Sequence, residues 1–411
     1  MLRDLSMNIC QIHKYYWHRD GASNYALYLS RLLEERGNKV IPFAMQSKHN
    51  LDTEYKDFFV SEMNLDDPKT VSFFNKFKYA GRMLYSCEAK NKINKLLKKE
   101  KIEIAHLHNI YHHISPSILP VLKKSGVKIV MTLHDYKLIC PNYTIFHHGK
   151  VHEEDCKGLY LSCIKNKCHK NSRVQSMAVT AEMIFHHKIM KYYEHYVDKF
   201  IAPSEFIMNK CIEYGWPKEK FVHITHPVDL NTFGVQELSE SYVAYVGRLS
   251  DEKGIGVLLS AAAKTPDIRY KIVGQGPLEK SLHKKVEEDR LDNVSFEGFK
   301  NGGDLEDLIG KARLIVVPSM WYENYPLSIL EAKAMSKLVV ASDIGGIREM
   351  LPKEFLVKPG DAHDLAQKIK KWYHTPPSRR SEWGHNFRKE VERDNNPGTH
   401  IKNIISLYES L

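Results

Sequence analysis

Short apolar runs separated by amphipathic stretches recur along the whole chain. In the C-terminal half, "YVAYVG", "RYKIVG", "NVSFEG", "RLIVVP" and "KLVVAS" are mostly apolar, as strands buried on both faces of a parallel sheet are. Between them, Leu258–Ala263 and Leu278–Glu288 repeat apolar residues at helical spacing. The N-terminal half alternates more loosely, with strands predicted at "MNICQIH", "KVIPFAM", "IEIAHLH", "VKIVMTL" and "KFIAPS" and a helix over Asn24–Arg36. Repeated strand–helix units predict parallel sheets covered by helices, hence two doubly wound α/β domains. Their junction is expected within Ser204–Thr232, giving domains at 1–203 and 204–380. The segment 381–411 reads as helical at both ends and is expected to return to the first domain.

Length and composition sharpen this picture. A chain of 411 residues with 43% hydrophobic and 27% charged content suits a soluble enzyme of two domains. No run approaches the ~20 apolar residues that span a bilayer, and "MLRDLSMNICQIH" lacks the features of a signal peptide. A cytoplasmic protein with reduced cysteines is therefore expected. The net charge of +10 is uneven: Lys69–Lys101 holds ten Lys/Arg against two acids. Within it Phe73, Phe77, Ala80 and Leu84 mark an apolar helical face, which suits either an anionic membrane surface or a solvated helix pair. Nucleic acid is not expected, because no recognised binding motif accompanies the charge.

Four loops offer chemistry, all at the carboxyl ends of predicted strands of one sheet, where open α/β sheets bind ligands. "VGRLSDEKG" carries Arg248 and Lys253, two cations five residues apart that suit a diphosphate. "IVGQGPLEKSL" supplies Gly274 and Gly276, and "DIGGIREM" supplies Gly345 and Gly346. In "YENYPLSILEAKAMSK", Glu323 precedes a helix opened by Pro326, and Glu331 lies within it. The helix start offers backbone N–H groups to an anion.

These four stretches, with the early "DGASNYALYLSRLLEERGNKV", resemble the family 4 retaining glycosyltransferases. The resemblance implies a GT-B fold, two Rossmann-like domains facing a central cleft. It implies that Glu323 binds donor-sugar hydroxyls and Glu331 the nucleotide ribose. Arg248 and Lys253 would hold the diphosphate, with backbone at Leu327 and Ser328 completing the cradle. Gly21 would approach the phosphates from across the cleft. Two departures stand out: Ala22 follows Gly21 where paired glycines are usual, and Tyr325 places a bulky ring where the sugar is expected.

"TLHDYKLICPN" places His134 at a strand end, in a position similar to the family's active-site histidine, with Asp135 expected to position it. His13 and His108 are weaker candidates for acceptor contacts. No Asp-x-Asp motif occurs in a suitable loop, so metal-independent transfer, without a catalytic cofactor, is expected, with charge on the leaving diphosphate met by Arg248 and Lys253. The insertion 138–172 holds Cys140, Cys156, Cys163 and Cys168 within 29 residues. Structural zinc would order such a loop, with His169 able to replace one ligand. Unrelated thiols and disulfides are the alternatives.

The expected activity is transfer from a UDP- or GDP-linked sugar to a glycan or lipid-linked acceptor, in surface polysaccharide or glycoconjugate synthesis at an anionic membrane. A GT-B epimerase or phosphorylase, and a basic binding protein on an inactive scaffold, are the rival readings.

Overall fold

The computed structural model describes residues 6–63, 73–235 and 240–411. Its first sheet contains β1 (Asn8–Ile12), β2 (Lys39–Phe43), β3 (Ile104–Leu107) and β4 (Lys128–Thr132). A small hairpin, β5 (Phe146–His147) and β6 (Lys150–Val151), interrupts the run before β7 (Lys199–Ala202) and β8 (Phe221–His223). The six main strands are parallel in the order β2-β1-β3-β4-β7-β8.

The second sheet contains β9 (Tyr242–Val246), β10 (Arg269–Val273), β11 (Val294–Gly298), β12 (Leu314–Val317), β13 (Leu338–Ser342) and β14 (Leu356–Val357). Its order is β11-β10-β9-β12-β13-β14, again all parallel. Two such domains make the GT-B arrangement.

The domain junction falls within Ser204–Thr232, though later than 203/204. β8 pairs with β7, so residues up to 223 still belong to the first sheet. A three-residue strand is too short to show a period, which is why the pattern missed it. The returning segment also starts later. The helix Pro377–Asp394 packs on the second domain, burying Phe387 and Val391 in its core. Only the helix Pro397–Glu409 crosses back, where Ile401, Ile404, Leu407 and Tyr408 pack with Ile9, Ile104, Val130 and Leu29. Burying each of the three aliphatic side chains contributes about 1.5–3 kcal/mol, so this helix straps the domains together.

Within the basic stretch, residues 69–72 and the side chains of Phe73 and Phe77 lie outside the described residues. Arg82 is not a surface charge. It is buried, donating from Nε to the His113 carbonyl at 2.8 Å and from Nη1 to Ser61 Oγ at 3.0 Å. Lys90, Lys95 and Lys98 are exposed on the helix Cys87–Lys99. No helix among the described residues is long and apolar enough to cross a membrane.

In the insertion the cysteines take the disulfide alternative to a four-cysteine zinc site. The structure closes two disulfides, Cys140–Cys156 and Cys163–Cys168. The Cα separations, 4.7 and 4.9 Å, are those of directly bridged pairs. Cysteines joined in two pairs are not four free thiolates converging on one ion. Cys10, Cys87 and Cys211 are free.

Candidate active site

The cleft has two walls built by different means. On the second domain, β10, β9, β12 and β13 are neighbours, so their C-terminal loops lie side by side. Glu323, on the loop after β12, is only 4% exposed. Its Oε1 lies 2.7 Å from Lys253 Nζ and accepts from Ser319 Oγ at 2.6 Å. Burial alone would raise this carboxyl, but the Lys253 charge and the hydrogen bonds from Lys253 and Ser319 outweigh it, holding Glu323 below the usual carboxylate range. The sequence reading gave these two residues to different parts of the donor. The structure joins them in one ion pair.

Close backbone crossings hold this wall in place. A Cβ on Gly346 would lie 1.8 Å from the Asn324 carbonyl oxygen, and one on Gly345, at φ +59°, 2.4 Å from that of Glu323. Gly346 N–H also donates to the Glu323 carbonyl at 2.8 Å. Any side chain there would displace the Glu323 loop. Gly274 and Gly276 act alike: their Cβ atoms would meet Gly247 O at 1.9 Å and Leu249 O at 2.3 Å. They press their loop against the one presenting the exposed Arg248.

Pro326 flanks the helix Leu327–Ala334 rather than occupying its first position. Leu327 and Ser328 therefore supply its open N-terminal turn. Across the cleft Gly21 opens the helix Gly21–Glu34, capped by Asp20, which accepts from Ser23 N at 2.9 Å. A Cβ at Gly21 would stand 3.5 Å from Leu327 Cδ1, so the two helix starts face one another. Glu331, one turn on, is half-buried. Burial pushes its carboxyl up to about 7.

The first-domain wall consists largely of histidines. β1, β3 and β4 are adjacent, so His13, His108 and His134 gather at their ends. His134 Nε2 lies 3.0 Å from His108 Nδ1, and His108 Nε2 lies 2.8 Å from Gln11 Oε1. Gln11 Oε1 can only accept, so His108 donates from Nε2 and accepts at Nδ1. His134 then donates from Nε2, leaving its Nδ1 as the acceptor. Burial, reinforced by neighbouring imidazoles, holds both rings well below the usual histidine range. His108 is thus a positioning residue beneath His134. His13 is also buried and bonded locally to Tyr15 O at 2.9 Å, and burial lowers it to about 4.

Asp135 does not hold the His134 ring. Its Oδ2 accepts from Tyr111 Oη and from Asn109 Nδ2, and its Oδ1 from Lys137 N at 2.9 Å. Burial raises this carboxyl to about 6. Tyr325 is held by the second domain's last segments and by a histidine of the junction. Its hydroxyl accepts from Asn395 Nδ2 at 3.1 Å, and its ring meets His226 edge-on. His226 in turn stacks on His134, with centroids 5.6 Å apart.

The sequence reading missed the residues joining the walls. Asn324 donates from Nδ2 to Leu133 O at 2.7 Å and accepts from Ser204 Oγ at 2.9 Å. It ties the residue after Glu323 to the residue before His134. The Glu349 carboxylate accepts from the backbone N–H groups of Glu205 and Phe206 at a helix start. These partners are more than 100 residues apart, and no local pattern announces them.

A family model described as Glycosyltransferase Family 4 matches residues 19–232, more than half of the chain. The chain belongs to glycosyltransferase family 4. A second model, Glycosyl transferases group 1, matches residues 234–390 of this family 4 protein, so the two models divide close to the domain junction. Among curated relatives, WcaL of Escherichia coli (strain K12), provisionally assigned to colanic acid biosynthesis, is 25% identical over 231 residues, covering 52% of this chain and 57% of WcaL. The family 4 chain thus spans little more than half of that relative. Sucrose-phosphate synthase from Thermosynechococcus elongatus shares the fold at TM-score 0.72 and 20% identity, over 98% of both chains. Anabaena HepE in complex with UDP and glucose does so at TM-score 0.68 and 17% identity, over 98% of this chain and 100% of HepE.

Proposed function

We propose that this protein is a retaining glycosyltransferase that moves a sugar from a nucleoside-diphosphate sugar, UDP- or GDP-linked, to a glycan or lipid-linked acceptor in polysaccharide synthesis. The observation that carries the reading is the second-domain wall: an open helix start set between Glu323 and Glu331, beside Lys253 and Arg248. Glu331 takes the ribose hydroxyls, Lys253 and Arg248 take the diphosphate, and Glu323 takes the sugar hydroxyls. When the diphosphate arrives, Lys253 has a second anion to bind, and Glu323 is released to accept from the sugar. Opposite, neutral His134 orients the sugar through its Nδ1 acceptor.

The cationic side chains and helix-start N–H groups stabilise the negative charge that develops as the sugar–phosphate bond breaks, without requiring a metal. The acceptor attacks from the same face, and its proton passes to a phosphate oxygen. HepE, seen with UDP and glucose, supports a uridine donor, and WcaL supports a polysaccharide role. Exposed Lys90, Lys95 and Lys98 support an acceptor met at an anionic membrane.

The test is incubation with a panel of UDP-, GDP- and ADP-sugars, following donor hydrolysis and reading the anomeric configuration by NMR. Hydrolysis of one donor class with net retention is expected. No hydrolysis of any donor, or inversion, contradicts the reading.

A further inference from the structure

The disulfide-bonded insertion contains a compact group of ligand-type side chains that the donor site does not use. His147 ends β5, His152 follows β6, and Asp155 lies in the single turn Glu153–Cys156. A ring nitrogen of each histidine and a carboxylate oxygen of Asp155 all lie within 4.8 Å of one another. The side chains of His147 and Asp155 are 7% and 5% exposed, with His147 Nε2 2.5 Å from Asp155 Oδ2. The two imidazoles stack at 3.9 Å and 10°. His147 Nδ1 and His152 Nε2 are buried with no hydrogen-bond partner. The other carboxylate oxygen, Asp155 Oδ1, accepts from Asn166 Nδ2 at 2.8 Å, a contact of the kind that orients a metal-ligating carboxylate.

We propose that His147, His152 and Asp155 bind a first-row divalent transition ion, zinc above all. Two imidazoles and one carboxylate suit zinc, whereas magnesium and calcium take oxygen donors. This ligand set shares no atom with the cysteines. The ion has a positioning role, because the turn it fastens reaches the donor wall. Glu153, between two of the ligands, accepts from Tyr322 Oη at 2.7 Å and pairs with Lys210 at 2.9 Å. Tyr214 Oη donates to the Glu153 carbonyl at 3.1 Å. Tyr322 immediately precedes Glu323, so fastening the turn steadies the neighbour of the buried acid.

The test uses the full chain, stripped with chelator and kept free of reductant so that both disulfides remain. Calorimetry with Zn²⁺ alone is expected to show about one equivalent bound, as one such site implies. Asn166→Ala is expected to weaken binding ~10–100-fold, and His152→Ala and Asp155→Asn at least as much. Co²⁺ should give tetrahedral visible bands without the near-ultraviolet thiolate charge-transfer band. Zn²⁺ should slow proteolysis at residues 147–157 in the wild type but not in His152→Ala. Absence of stoichiometric binding, full affinity in both His152→Ala and Asp155→Asn, or a thiolate band would each overturn the proposal. The half-buried His152 ring makes His152→Ala the variant least prone to misfold. It decides the matter if Asp155→Asn does not fold.

Discussion

The two walls of the cleft solve one problem, holding polar groups ready in a largely dry site, by opposite means. The second-domain wall keeps charge: Glu323 stays ionised because Lys253 and Ser319 offset its burial. Its loops are fixed by backbone crossings that admit only glycine. The first-domain wall discards charge: His13, His108 and His134 are held neutral by burial, and their rings fix one another through hydrogen bonds and stacking. A charged wall suits an anionic diphosphate. A neutral wall can offer lone pairs to hydroxyls without competing for the phosphates. The difference predisposes one domain to the donor's nucleotide half and leaves the other to the sugar and acceptor.

The largest expected effect breaks the charged wall through its backbone. Gly346→Ala puts a methyl 1.8 Å from Asn324 O, so the Glu323 loop must move. A displacement of about 1 Å costs ~100-fold in rate, and overpacking costs ~1–3 kcal/mol of stability. Transfer assays and thermal melts of this variant check both. Wild-type turnover would show that the crossing does not position Glu323.

The clasp between the walls comes next. Asn324→Ala leaves Leu133 O without its side-chain donor and removes the acceptor of Ser204 Oγ, a loss of ~1–3 kcal/mol. Both the melting temperature and sugar transfer should fall, whereas Arg248→Ala should leave the melting temperature unchanged.

Acid should separate the walls by pH. His106 and His226 are held near about 3, and His13 and His400 near about 4, in each case chiefly by burial. The unfolded chain therefore binds protons first, and stability should fall as pH drops from ~6.5 towards ~4, with no contribution from these rings above 7. Glu331 is opposite in sign. Burial lifts it to about 7, so nucleoside diphosphate affinity should rise between pH 6 and 8 as the carboxylate forms. That rise should vanish in Glu331→Gln. Melts and titrations across pH 4–8 test both slopes.

The smallest expected effect lies outside the cleft. Lys90, Lys95 and Lys98 each contribute ~1 kcal/mol at an anionic surface, so replacing them with Glu should release the protein from anionic vesicles and spare donor hydrolysis. Wild-type protein that ignores such vesicles at low salt would favour a soluble acceptor.

Strand and helix order was legible because buried parallel strands leave apolar runs, and the loops that follow them are where ligand chemistry collects. Spacing put Glu323, Glu331, Arg248 and Lys253 on those loops, and the family resemblance supplied their roles. What could not be read depends on partners distant in sequence. Asn324 looks like one more loop asparagine until Leu133 and Ser204 meet it. Asp135 was paired with its neighbour His134, but the fold gives it Tyr111, Asn109 and the Lys137 N–H. Gly274, Gly276, Gly345 and Gly346 are needed where two backbones touch, and the partner backbone lies in another loop. The cysteines were grouped by nearness in sequence, whereas the chain path brings them together as two pairs.

Calorimetry of UDP and GDP binding to the wild type, Glu331→Ala, Arg248→Ala and Glu323→Ala tests most directly the claim that the charged wall divides the donor between its two acids. Glu331→Ala and Arg248→Ala should each lose a charge-assisted contact, ~1.5–3 kcal/mol or roughly 10–100-fold in affinity. Glu323→Ala should bind the free nucleoside diphosphate as well as the wild type or better, because Lys253 is released, while failing in transfer. Unchanged affinity in the first two variants, or an equal loss in Glu323→Ala, would contradict the account.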